Sequence, residues 1–322
     1  VIGRSTLPRF ATSFVGRGEL VEQTAARSIV PGLTTLVGPG GVGKTRLACE
    51  SISRWASAGQ RRVWFCELAT LGDGAGTDDD GLSRLVARTV GARLESGRSP
   101  LDAVAVALLD ADGALVLDSC EVQVDHAATL ASHLLASCPS LTILATSRMR
   151  LGVPGEEVTL VPPLDIDGEA TELYCHRAID ADPGFSLAVD DLDAIADLCA
   201  RLDGLPLAIE LAAARSRTAG PRGLLSQFDD HAALEPLRVD ASAVAERHRS
   251  LGAAIDWSYR LLSGEQQQLL RRLGLFSGSV GIEDLAAVCN DSARSRGALL
   301  NRLAELVERS MVATARRNGM TR

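Results

Sequence analysis

The strongest constraint on this chain is the octapeptide G-P-G-G-V-G-K-T at positions 38–45. Its spacing, G-x-x-x-x-G-K-[ST], lets backbone amides wrap around phosphate oxygens. Lys44 within it is the only lysine of the chain, and every other one of the 33 cationic residues is arginine. A compact ammonium suits phosphate oxygens as a point charge, whereas arginine presents a planar fork. The retained lysine therefore favours a phosphate-binding loop over a glycine turn that merely caps a helix.

The residues around the loop predict the structural context that such a loop needs. An apolar run at Leu33–Val37 predicts a buried strand before it, and Thr45–Ser57 predicts a helix after it. Further strands are predicted at Arg62–Leu68, Ala114–Asp118, Leu141–Ala145 and Glu157–Val161. Helical patterns lie between them, for instance at Leu101–Asp110 and Ala127–Ser137. This alternation predicts an α/β domain over residues 1–161, with a mostly parallel five-stranded sheet and helices on both faces.

The pattern changes at Val161-Pro162-Pro163-Leu164, after which the chain is predicted to be all-helical over residues 162–238. Asp190 or Asp191 can cap a helix that Gly204 ends. Pro206 is predicted in the first turn of the next helix, where a missing N–H does no harm.

Residues 239–322 predict a third domain after a boundary near 235–240. Ser263 and Gln266 have the spacing of a capping box, and a leucine-rich helix follows at 299–307. A strand at Ser310–Arg316 and the turn signal Asn318-Gly319 complete the order of a winged helix. Because the chain begins without methionine and stops just after this turn, we expect a fragment, with the wing truncated and that strand lacking its partner.

Composition argues against several classes of protein. The net charge of −8 argues against strong non-specific nucleic-acid binding by the whole surface. Seven scattered cysteines without a C-x-x-C pair are typical of reduced thiols, so we expect a cytoplasmic protein. No apolar run approaches the ~20 residues of a membrane span. An aspartate-rich stretch at 72–81 is interpreted as a solvated loop rather than a metal site.

Chemistry assigns roles within the glycine loop. Backbone amides from Gly40 to Lys44, at a helix N-terminus, are expected to hold the α- and β-phosphates of a nucleotide. Lys44 would bridge the β- and γ-phosphates, and the Thr45 hydroxyl would bind Mg²⁺. The predicted cofactor-binding residues here are Pro39, Gly40, Gly41, Val42, Gly43, Lys44, Thr45 and Arg46.

Two other strand ends predict the remaining catalytic groups. Asp118 ends an apolar strand and is predicted to hold Mg²⁺ together with Thr45, since open parallel sheets bind ligands at that edge. The next residue is Ser119 rather than a second acid. Glu121 is therefore either a water-activating base, or a charge at the start of a helix or a partner that supports another residue of the site. Arg148 follows another strand and either senses a γ-phosphate or is an exposed loop arginine.

Several strings together resemble the STAND class of P-loop NTPases, the NB-ARC-like group, and in particular bacterial AfsR/SARP and large LuxR-type transcriptional regulators. The resemblance extends from about Phe14 to Ser310. It rests on F-V-G-R at 14–17, the glycine loop, L-V-L-D-S-C-E at 115–121, A-T-S-R at 145–148, L-D-G-L-P-L-A at 202–208, R-H-R-S-L at 247–251 with A-I-D-W-S-Y at 254–259, and F-S-G at 276–278.

The resemblance implies an ATP/ADP-binding switch with Mg²⁺ and slow hydrolysis. Val15, Gly16 and Arg17 would frame the adenine, and Pro206 would pack on the base or sugar. His248 is the candidate for a histidine that touches the β-phosphate. A closed state would hold ADP, whereas ATP would promote opening and self-association. The usual acid after Gly16-Arg17 is replaced by Gly18, and Glu19 follows one position later.

Two alternatives remain open on sequence alone. An AAA or origin-recognition-type working ATPase also joins a P-loop domain to helices and a winged helix, but needs an acid directly after Asp118. A DNA-binding winged helix is the second alternative, because from Ala241 onward the chain has more arginines than acids. We expect DNA contact to belong to domains outside this chain.

Overall fold

The computed structural model describes residues 7–59, 61–71, 80–182, 185, 189–216, 219–229, 259, 262–276, 280–289, 296–309, 311–312, 314, 316–317 and 320–321. The predictions for His248, for the boundary at 235–240 and for the strings at 247–251 and 254–258 lie outside these residues. The same holds for 72–79 and 277–278. The described chain divides into a sheet-containing first part and a helical second part.

All five strands predicted in the first part are present. They are β1 (Gly32–Val37), β2 (Arg62–Glu67), β3 (Gly113–Asp118), β4 (Thr142–Ser147) and β5 (Glu157–Leu160). They form one sheet in the order β2-β3-β4-β1-β5, and every neighbouring pair is parallel. The carboxyl ends of all five strands therefore lie at a single edge, where the loop after β1 meets the ends of β3 and β4.

Helices cover both faces of the sheet, as predicted. They are α1 (Gly18–Arg27), α2 (Lys44–Gly59), α3 (Gly81–Val90), α4 (Pro100–Leu108) and α5 (Val124–Ser137). The side chains of β3 alternate between two apolar cores. Leu115 and Leu117 pack in the core shared with α3–α5, whereas Ala114 and Val116 pack in the core shared with α1 and α2. Burial of β3 on both faces explains its continuous apolar sequence.

Beyond β5, the regular elements described up to residue 309 are all helices. A short π-helix (Ile166–Ala170) precedes α6 (Thr171–Ala181), α7 (Val189–Arg201), α8 (Pro206–Ala213) and α9 (Pro221–Asp229). Pro206 occupies the first turn of α8, as predicted. Helices α6–α9 share a core that includes Val15 and Leu164. The N-terminal segment thus packs on the helical part as well as on the sheet.

A last group of helices has its own small core. It comprises α10 (Gly264–Leu273), α11 (Ile282–Cys289) and α12 (Arg296–Glu308). The predicted capping box at Ser263 and Gln266 is present, with both reciprocal hydrogen bonds. Leu269, Leu285 and Leu306 pack together in this core. Three helices followed by a hairpin agree with the predicted order of elements, but their assignment as a winged helix stays a prediction.

The sequence-based prediction for the hairpin is wrong in one respect. The first strand, β6, spans only Arg316–Arg317, and it pairs antiparallel with β7 at Met320–Thr321. It therefore does not lack its partner. Two residues separate the strands, which is the length of the tightest hairpin loops. Part of the segment predicted as strand is a bend at Met311 and Val312, both of which pack on the core of α10–α12.

Among the described helices, none combines the length and the apolar character needed to cross a lipid bilayer.

Candidate functional site

The glycine loop joins β1 to α2 in a conformation that its sequence makes accessible. Gly41 and Gly43 have φ angles of 78° and 93°, in the left-handed region that favours glycine. A Cβ on Gly41 would lie 3.1 Å from Leu207, and the Gly41 carbonyl accepts a hydrogen bond from the Leu207 N–H at 3.1 Å. The loop is thus held against the first turn of α8 by backbone as well as by close packing.

Lys44 is buried at the start of α2. Its Nζ donates to the carbonyl oxygens of Gly38 at 2.8 Å and Pro39 at 2.9 Å. An ammonium has three donors, so these two bonds leave one for an anion. Burial lowers the pKa of Lys44 to about 8, against the opposing attraction of the nearby Glu121 carboxylate. An anion bound at the loop would compensate this loss of hydration.

Asp118 and Thr45 are in direct contact at the sheet edge. The Thr45 hydroxyl donates to Asp118 Oδ1 at 2.7 Å, and the Thr146 hydroxyl donates to the same oxygen at 2.7 Å. Thr146 in turn accepts from the Ser119 N–H at 2.9 Å. Burial raises the pKa of Asp118, although both hydroxyls oppose the shift. Thr146 lies within the string A-T-S-R at 145–148, but the sequence pattern predicts no role for it.

Hydroxyl and carboxylate oxygens are the ligands that Mg²⁺ prefers, and Mg²⁺ usually takes only one or two protein ligands beside phosphate and water. The contact between Thr45 and Asp118 fits such a site. In the described part of the chain, no cluster of three or more histidine, cysteine or acidic residues could hold a metal on its own. A cation here would take its remaining ligands from phosphate or water.

Glu121 and Arg148 form a buried ion pair. Arg148 Nε lies 3.4 Å from Glu121 Oε1, and the two side chains are 8% and 11% exposed. Burial lowers the pKa of Arg148, and the Glu121 charge opposes the shift. The other oxygen of Glu121 is buried without a hydrogen-bond partner among the described residues. Arg148 is therefore not an exposed loop arginine, and it also donates from Nη1 to Met311 Sδ at 3.8 Å, which connects the site to the last group of helices.

Arg17 braces the loop from behind. Its guanidinium donates to the Val42 carbonyl at 2.6 Å and to the Pro162 carbonyl at 2.7 Å, while its backbone N–H donates to Glu169. Burial lowers its pKa to about 10, partly offset by the Glu169 charge. The preceding Gly16 has a φ of 73°, and a Cβ there would collide with Glu169. The string at 14–17 thus fastens the loop to the helical part.

Arg17→Ala should lower the free energy of unfolding by about 2–4 kcal/mol, because two buried carbonyls would lose a charged donor. Urea denaturation measures the change. Arg27→Ala is the matched control: the Arg27 side chain is 44% exposed and lies 3.9 Å from Glu157, so its loss should cost less than about 1 kcal/mol. Equal losses in the two variants would contradict the bracing role of Arg17.

These elements enclose a cleft of about 510 Å³ at the carboxyl edge of the sheet. Many of the sequence-predicted residues line it: Gly40, Gly41, Gly43, Lys44, Thr45, Arg46, Asp118, Glu121, Arg148 and Pro206. Others do not line it: Val15, Gly16, Arg17, Pro39 and Val42. Val15 is buried in the core of α6–α9. The framing of adenine by Val15 and Arg17 stays a prediction, and the structure places both side chains in packing positions.

Several residues of the cleft wall were not predicted as site residues. They are Pro8, Phe10, Thr12, Phe65, Glu67, Ser119, Thr146, Leu207 and Glu210. Arg46 lies over the Phe10 ring at 4.8 Å and donates to the Thr12 hydroxyl at 2.7 Å. Glu67 could have been predicted as a site residue, because it is an acid at the end of a predicted strand. The segment around Phe10 carries no sequence pattern that predicts its place in the cleft wall.

Glu210 is held in the wall by a buried arginine of the helical part. Arg177 donates to Glu210 Oε1 at 2.9 Å and to the Ser13 carbonyl at 2.7 Å. These two bonds join α6, α8 and the N-terminal segment into one side of the cleft.

Comparison with known proteins places the chain among relatives. No family model matches it. The uncharacterized protein Rv0894 of Mycobacterium tuberculosis is 37% identical over 315 residues, covering 97% of this chain and 78% of that protein. A second protein of the same organism, Rv0890c, provisionally named an HTH-type transcriptional regulator, is 39% identical over 290 residues. That match covers 90% of this chain but 32% of Rv0890c.

Among solved structures, a STAND protein with a tetratricopeptide repeat sensor from Pyrococcus horikoshii matches 97% of this chain and 41% of its own. With a TM-score of 0.40 and 16% identity, this likeness does not by itself establish the fold. The fold assignment rests instead on the glycine loop between β1 and α2, the sheet order and the position of Asp118. The chain belongs to the protein family that includes Rv0894 of Mycobacterium tuberculosis, and its first part has the α/β fold of P-loop NTPases.

Proposed function

We propose that this chain is the adenine-nucleotide switch of a larger bacterial regulator, with ADP favouring a closed state and ATP an open, self-associating one. The observation that carries the proposal is the construction of the cleft. The phosphate-binding loop forms one wall, and the first turn of α8 forms another. Leu207 donates a backbone hydrogen bond directly to the loop at Gly41. A ligand that fills the cleft therefore contacts both parts of the chain.

Different residues of the cleft would bind different parts of the nucleotide. The amides of the glycine loop and Lys44 bind the phosphates. Thr45 and Asp118 would hold Mg²⁺, which would neutralise charge on the phosphates. Arg148 is positioned by Glu121 to sense a γ-phosphate, and Pro206 packs on the base or sugar. Arg17 braces the glycine loop and Arg46 lines the cleft. The framing of adenine by Val15, Gly16 and Arg17 and the role of His248 stay predictions.

Switching requires that the two nucleotides stabilise different arrangements. To reverse a 99:1 preference, ATP must favour the open arrangement by about 5.5 kcal/mol relative to the closed one. Arg148 is the group through which we propose this difference arises, because it contacts Glu121 in the cleft and Met311 beside α12. A γ-phosphate that attracts the guanidinium would weaken both contacts and loosen the last group of helices.

The match to Rv0890c supports the regulatory assignment. The matched region makes up 32% of Rv0890c. In a regulator of that length, DNA contact would be made by segments outside the matched region. We assign the chain to the STAND class, NB-ARC-like group, on the strings at 14–17, 38–45, 115–121, 145–148 and 202–208.

Mass spectrometry of small molecules released by denaturing the purified protein tests this function. We expect ADP at close to one molecule per chain. A guanine nucleotide, or no nucleotide together with no measurable ATP or ADP binding in solution, would sink the proposal. Steady-state turnover at tens per second would instead favour the working-ATPase alternative, since a switch needs slow hydrolysis.

A further inference from the structure

Glu67 is the last residue of β2, and its place in the sheet brings it to the cleft. The register of the parallel pair β2–β3 sets Glu67 beside Asp118. Phe65 and Glu67 both line the cleft, whereas Cys66 between them is buried in the core shared with α3–α5. Alternation along the strand therefore directs Glu67 to the face that carries the glycine loop.

The backbone that carries Glu67 is anchored. The Thr70 hydroxyl donates to the Glu67 carbonyl at 2.7 Å and holds the start of a short 3-10 helix, Leu68–Leu71. Leu68 and Leu71 are buried in the core beneath it. The backbone of Glu67 therefore has a defined position at the sheet edge, which favours a group that must orient a reactant.

Three other carboxylates line the cleft, and each differs from Glu67 in position or in exposure. Glu210 lies on α8, in the helical wall rather than at the sheet edge. Asp118 accepts the hydroxyls of Thr45 and Thr146 on one oxygen and is buried. The Glu121 side chain is only 11% exposed beside Arg148. Glu67 is partly exposed and lines the open cleft, so water can reach it. Position 119, directly after Asp118, is serine and provides no carboxylate.

We propose that Glu67 is the carboxylate that orients and deprotonates the water attacking the γ-phosphate, an inference that rests on the function proposed above. The water oxygen forms a bond to the γ-phosphorus as the bond from that phosphorus to the β,γ-bridging oxygen breaks. The proton passes from the water to the Glu67 carboxylate and then to solvent, and the products are ADP and inorganic phosphate. Glu121 is then the partner of Arg148 and not the base.

Single-turnover hydrolysis of ATP by Glu67→Gln tests the inference. The variant keeps the shape of the side chain and removes its charge and basicity, so we expect the rate to fall at least about 100-fold. The dissociation constant for ADP should stay within about threefold of the wild-type value. Purified Glu67→Gln should correspondingly retain ATP in place of ADP. Glu67→Asp keeps a carboxylate and should recover part of the rate.

Two further variants separate catalysis from structure. Glu95→Gln changes an exposed acid outside the cleft and should hydrolyse ATP at the wild-type rate. Glu121→Gln should slow hydrolysis less than Glu67→Gln does. A Glu67→Gln protein that hydrolyses ATP normally, or that loses ADP binding and rate together, would overturn the inference. So would wild-type protein that binds ATP without hydrolysing it. Absence of nucleotide binding by the wild type would instead overturn the proposed function itself.

Discussion

Lys44→Ala should abolish retention of nucleotide and weaken ADP binding at least about 100-fold. The ammonium is buried at the loop, where its carbonyl bonds to Gly38 and Pro39 fix its position. Removing one partner of a buried, hydrogen-bonded charge pair costs about 2–5 kcal/mol, and no second lysine can replace it. Titration calorimetry with ADP measures the change. Arg54→Ala, on the same helix with a side chain that is 43% exposed, is the control and should bind like the wild type.

The depressed pKa of Lys44 gives this prediction a second, independent readout. Because phosphate binding requires the ammonium and the pKa in the ligand-free protein is about 8, ADP affinity should fall by up to about tenfold per pH unit above pH 8. Lys44→Arg should bind more weakly but with little pH dependence, since its guanidinium stays protonated. A wild-type affinity that is flat between pH 8 and 10 would contradict a role for the ammonium in binding.

The lowered pKa of Lys44 also affects the stability of the ligand-free protein, and there its effect has the opposite dependence on pH. The unfolded chain binds more protons at this lysine than the folded chain does between pH 8 and the ordinary lysine pKa. Stability of the nucleotide-free protein should therefore rise with pH across that window. In Lys44→Ala this contribution is absent.

Asp118→Asn should remove most of the gain in ATP affinity that Mg²⁺ provides, a loss of about 10- to 100-fold. The amide can still accept the hydroxyls of Thr45 and Thr146, but it carries no charge for the cation. ATP titrations with Mg²⁺ and with EDTA measure the effect. In EDTA the wild type and the variant should agree within about threefold, whereas with Mg²⁺ they should diverge.

The variant should also be more stable than the wild type when nucleotide is absent. Burial raises the pKa of Asp118, so the folded chain binds more protons there than the unfolded chain, and stability is lost as pH rises through that window. Asparagine removes this cost. Asp112→Asn, which changes a carboxylate that is 79% exposed just before the other end of β3, should alter neither property. An Asp118→Asn protein that is destabilised and keeps its Mg²⁺ response would refute the metal assignment.

Local rules made much of this molecule predictable. The glycine loop, the alternation of strands and helices, the proline at the start of α8 and the capping box at Ser263 each depend on residues a few positions apart. Asp118 and Arg148 were predicted to meet the loop because the carboxyl ends of parallel strands share an edge. The prediction was wrong at the hairpin, because the ends of short strands are set by pairing between strands rather than by the pattern within one strand.

The amino-acid sequence by itself determined the phosphate-binding loop, the class of fold and the carboxylate at the end of β3, because these follow from local backbone preferences and the period of apolar residues. Only the tertiary structure decided that Arg17 braces the loop, that Glu121 is tied to Arg148, and that Glu67 stands beside Asp118. Those relations join segments far apart in the chain. They depend on sheet register and on which buried charge finds which partner, and neither is written in any single stretch of residues.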